Sequence, residues 1–95
     1  MTDKLQEDAA RGERARSLLE DDILTAAFAD MRAAYIVAWE ATPARDTDAR
    51  ERLWQAVQIV GKVRSHLETV VSNGTLARHQ INAMAKGYPE PRAVA

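Results

Sequence analysis

The side chains able to do chemistry in this chain are few and poorly placed for it. Its two histidines, His66 and His79, stand apart, and neither belongs to a pattern of the H-E-x-x-H kind. A zinc site needs about three or four converging ligands. Cysteine is absent, so only carboxylates at ordinary surface positions remain to complete such a set. Glu20, Asp21 and Asp22 form an acidic run, but consecutive helical residues point about 100° apart and do not converge on one ion. Helix capping is their expected role. Ser17, Ser65 and Ser72 have no neighbouring base to activate a hydroxyl. Gly61 is isolated in a helical stretch rather than set in a phosphate-binding loop, and is expected to mark a close helix contact. The expectation is a protein that is not an enzyme, with no catalytic residue, no metal and no cofactor.

Composition sets the frame for these residues. A chain of 95 residues has material for one small core. With 46% hydrophobic and 28% charged residues it resembles folded rather than disordered proteins. Aromatic strand formers are scarce, and Ala and Arg are abundant, which favours helix. The first sixteen residues are charged and hold no apolar segment of the signal-peptide kind. No uncharged stretch, Ala33 to Trp39 included, exceeds nine residues, far short of the roughly 20 a membrane span requires. The expected location is therefore cytoplasmic, without a membrane partner.

The apolar spacing predicts an all-α fold: a long antiparallel helical hairpin with shorter N- and C-terminal helical segments. Residues 1–16 read as a charged, frayed helix interrupted by Gly12. Ser17-Leu-Leu-Glu20 has capping-box spacing, and Asp21-Asp22 offers a second start; the spacing leaves open one bent helix or two. From Ile23, the residues Leu24, Phe28, Met31, Tyr35 and Ala38 recur on one face, widened by Ala27, Ala34 and Trp39. This helix is expected to stop near Ala41, since Thr42 precedes Pro43. A turn at about 42–47 follows, then a helix capped at Asp48-Ala-Arg-Glu51 and stopped by Asn73-Gly74. Its stripe is Leu53, Ala56, Val57, Val60, Val63, Leu67, Val70 and Val71. Arg64 lies inside that arc, either with its stem snorkelling to the rim or paired with Asp30 or Glu40 across the hairpin. The hairpin core thus spans 17–74, a short helix 75–87 follows with Leu76, Ile81 and Met84 as its apolar positions, and 88–95 form a flexible, proline-containing tail.

The first hairpin helix carries few polar residues, and opposite its main stripe stand Ala26, Ala29, Ala33 and Val37 with Ile36 beside them. A helix apolar nearly all round is normally buried on more than one side, and a hairpin covers only one. Self-association through this face, with Trp54 as a further anchor, is the expected use; Leu5, Leu18, Leu19, Leu76 and Ile81 folding back over it is the alternative. A second class of function is nucleic-acid binding by the segment 76–87, where Arg78, His79, Gln80, Asn82 and Lys86 offer phosphate- and base-contacting groups. The net charge of −1 makes such binding weak unless many copies gather. A helix-turn-helix reading needs Asn73-Gly74 to supply a tight turn.

The runs Ser17-Leu-Leu-Glu-Asp-Asp-Ile-Leu-Thr-Ala-Ala-Phe28, Ala38-Trp-Glu-Ala-Thr-Pro-Ala-Arg-Asp-Thr47, Arg50-Glu-Arg-Leu-Trp54, Val63-Arg-Ser-His-Leu67 and Gly74-Thr-Leu-Ala77 together resemble small helical proteins of tailed phages and prophages. Those proteins are encoded in gene clusters for heads, portals and DNA packaging. The likeness covers about residues 13–80 and consists of helix and turn signatures. Many such proteins carry proline where this chain has Asp22, which implies Asp21 as a helix cap and a split of the first helical region there. The resemblance carries no catalytic residue. It implies an assembly or packaging accessory, with phage structural or packaging proteins as partners and the host cytoplasm or virion as location.

Overall fold

The computed structural model describes residues 2–86. Among them are three helices and no strand: α1 (Thr2–Glu20), α2 (Asp22–Ala41) and α3 (Thr47–Ala85). The all-α expectation is met. No helix among the described residues is long and apolar enough to cross a membrane. The expected end of the short helix at residue 87 and the tail at 88–95 lie outside the described residues.

The break between α1 and α2 falls at a single residue. Asp21 has an extended backbone, φ −74° and ψ 125°, and its carboxylate accepts the Leu24 backbone N–H; that bond spans 2.9 Å. This satisfies one of the donors a helix start leaves unpaired. The two-helix alternative therefore holds, with Asp21 as cap. Ser17 and Glu20, expected to form a capping box, instead lie inside the last turn of α1. Nor does Gly12 interrupt that helix, which runs on past the expected end at residue 16 to Glu20.

Thr42 ends α2 in an extended conformation, as its place before Pro43 requires. Asp46 then caps α3 by accepting the Ala49 N–H at 3.2 Å, two residues before the expected cap at Asp48. Asp46 is also the residue whose N–H returns to the Pro43 carbonyl, 2.9 Å away, so the turn delivers it to the cap position.

The larger departure is at Asn73-Gly74. The expected helix stop and separate short helix are replaced by one continuous α3 of 39 residues. Gly74 keeps a helical backbone and is buried. Its hydrogen side chain admits α1: a Cβ built on Gly74 would stand 2.6 Å from the Gly12 Cα and 2.9 Å from the Asp8 carbonyl oxygen. Both glycines are contact residues rather than breaks.

The chain divides into two compact units, residues 18–67 and the described residues of 1–17 with 68–95. The second unit buries Ala9, Gly12, Ala15, Gly74 and Ala77, a seam of small residues that brings helix backbones together. In the unit 18–67, Phe28 and Val57 are the buried hydrophobic residues. No described residue has a fully buried side chain.

Candidate protein-contact surface

Arg50 organises the end of α2 within the unit 18–67. The last turn of α2 has no basic residue of its own to offset the partial negative charge of its carbonyls. Arg50 supplies it from α3. Its guanidinium donates to the Trp39 carbonyl at 3.1 Å and the Thr42 carbonyl at 2.9 Å, and lies 3.9 Å from the centre of the Trp39 ring. Charge-assisted hydrogen bonds and cation–π stacking thus act on one side chain. The expected cap at Asp48-Ala-Arg-Glu51 contained this arginine, but nothing in its spacing distinguished it from Arg45 or Arg52.

Beyond that clamp, α2 and α3 leave an open apolar groove. It is lined by Phe28, Met31 and Tyr35 from α2 and by Ala56, Ile59, Val60 and Val63 from α3. The strip continues along α3 through Lys62, His66 and Leu67. Met31, Tyr35 and Val63 were expected to be covered inside the hairpin, yet all three stand exposed. The stripes are wider than the contact two helices make: Leu24, Phe28 and Trp39 turn inward, and the stripe's other edge remains open. Ile59, 58% exposed, was missed because it falls off the periodic stripe of α3.

The residues expected to hold a partner are divided. Ala26, Ala29, Ala33 and Val37 are exposed, whereas Ile36 is partly covered. Trp54 is half exposed, beside a second hollow formed with Trp39, Thr47, Arg50 and Glu51. Gly61, expected at a close helix contact, faces open space, with nothing within 4 Å of a built Cβ. Arg64 is exposed, and neither Asp30 nor Glu40 forms an ion pair with a described residue.

The helix-turn-helix reading loses its turn. Arg78, His79, Gln80, Asn82 and Lys86 are all exposed, but α3 passes through Asn73-Gly74 without the break a helix-turn-helix requires. Among the described residues, no group of three or more His, Cys, Asp or Glu is placed to hold a metal ion. Comparison with protein-family models, with curated proteins and with solved structures finds no match to this chain.

Proposed function

We propose that this chain is a non-enzymatic helical-hairpin protein that self-associates and acts through protein contacts, as an assembly or packaging accessory of a phage or prophage. The hairpin is α2 against α3. Two sets of contacts support their antiparallel run: Arg50 over Trp39 near the turn, and residues 28–35 sharing a groove with 56–63 farther from it.

One observation carries the self-association. The unit 18–67 leaves Ile23, Met31, Val37, Trp54, Ile59 and Val63 exposed while burying only Phe28 and Val57. Exposed apolar area of this kind marks an interaction surface, and closing a second hairpin over it is how two-helix units reach a bundle core. The phage setting rests on the resemblance of the helix and turn signatures over residues 13–80.

Light scattering on the intact chain over a tenfold concentration range tests the reading. A defined oligomer supports it. A monomer throughout overturns self-association.

A further inference from the structure

The groove has charged rims of opposite sign. Going round α2 at about 100° per residue, outward from Tyr35 and Met31, the surface passes Ala38, Ala27, Ala34 and Ile23 and meets its first charge at Asp30, about 100° beyond Met31. On α3 the side chains beyond Ile59 and Val63 are His66 and Lys62. The pairing of 39 with 50 and of 28–35 with 56–63 sets Asp30 level with residues 59–61 of α3, so Lys62 stands within about one turn of it. Asp30 and Lys62 are both exposed, and neither forms an ion pair with a described residue. Lys62 lines the hollow that continues the groove along α3, and Asp30 stands on the outer flank of α2 beyond the groove's lining, so a helix pair laid over the groove meets both at its margins.

The geometry points to a second copy of this chain as the occupant, docked groove to groove about a two-fold axis running along the helices, with Asp30 of each copy paired to Lys62 of the other. Such an axis leaves every residue at its own height. It lays α2 of one copy beside α3 of the other and brings acid to base twice. The apolar centre supplies the buried area, and the rim pairs select orientation and register, which is what peripheral charge does best at an interface. A two-fold axis across the helices, which would set α2 against α2, gives Asp30 no such partner fixed by symmetry. This inference rests on the self-association proposed above and specifies its face and symmetry.

The test uses three variants of the intact chain: Asp30→Lys, Lys62→Asp, and the double exchange. Mass is followed at low ionic strength, and helicity is checked by circular dichroism. Each single variant is expected to weaken the dimer about tenfold, because two attractive pairs become two repulsive ones. The double exchange restores it. Mixing the two single variants in equal amounts also restores it, since in the mixed dimer both contacts are again acid to base; a pairing within one chain would gain nothing from mixing. Wild-type association that ignores the single exchanges, or a mixture no tighter than its components, overturns this face and symmetry while leaving self-association standing. A wild-type monomer overturns both.

Discussion

Gly12 and Gly74 meet backbone to backbone: a Cβ built on Gly12 would stand 2.7 Å from the Gly74 Cα and 3.2 Å from the Val70 carbonyl oxygen. Neither obstacle is the flexible end of a side chain, so the helices themselves must shift to admit a methyl group. Gly12→Ala and Gly74→Ala are each expected to destabilise the protein by about 1–3 kcal/mol, the usual cost of overpacking, despite alanine's higher helix propensity. Urea denaturation followed by circular dichroism measures this. An unchanged or raised midpoint in both variants would contradict the close approach.

Gly61 makes the opposite case inside the same helix. With no atom within 4 Å of its built Cβ, Gly61→Ala gains helix propensity without a clash. Stability should rise by about 0.5–1 kcal/mol. A fall in the thermal midpoint would mean that this position is covered.

Arg50 is expected to matter more than its surface neighbours. Arg50→Ala removes both carbonyl contacts and the Trp39 stacking, at a cost of about 1–3 kcal/mol. Arg50→Lys should recover only part of this, because an ammonium lacks the planar fork. Chemical denaturation of the two variants beside Arg45→Ala, whose side chain is exposed, reads the difference. Equal midpoints for the Arg50→Ala and Arg45→Ala variants would refute the clamp.

Asp21 holds the start of α2 through its bond to the Leu24 N–H. Asp21→Ala should cost about 1 kcal/mol, and Asp21→Asn, which can still accept that bond, clearly less. Thermal melts that rank the two alike would show that the cap does not act through the side-chain acceptor.

Helix content, the stop at Ala41 and the outer limits of the turn were legible in the amino-acid sequence because they depend on local physics. Apolar spacing gave α2 its helix, and the restriction Pro43 places on Thr42 ended it. Asp21 was legible only as one of two start signals, because a cap and a capping box draw on the same residue types. What tertiary structure decided was the meaning of residues whose local signal is ambiguous. Asn73-Gly74 is a stop signal when its backbone faces water; opposite Gly12 it becomes a packing site, and contact between helices outweighs the roughly 1 kcal/mol that glycine costs a helix. Met31, Tyr35 and Val63 read as core by periodicity, yet are exposed, because periodicity reports which residues share a face and not how much of that face one partner helix can cover. The same limit kept Arg50 and Ile59 hidden. Their roles depend on which residues of another helix stand opposite, a matter of packing between segments that no spacing within one segment encodes.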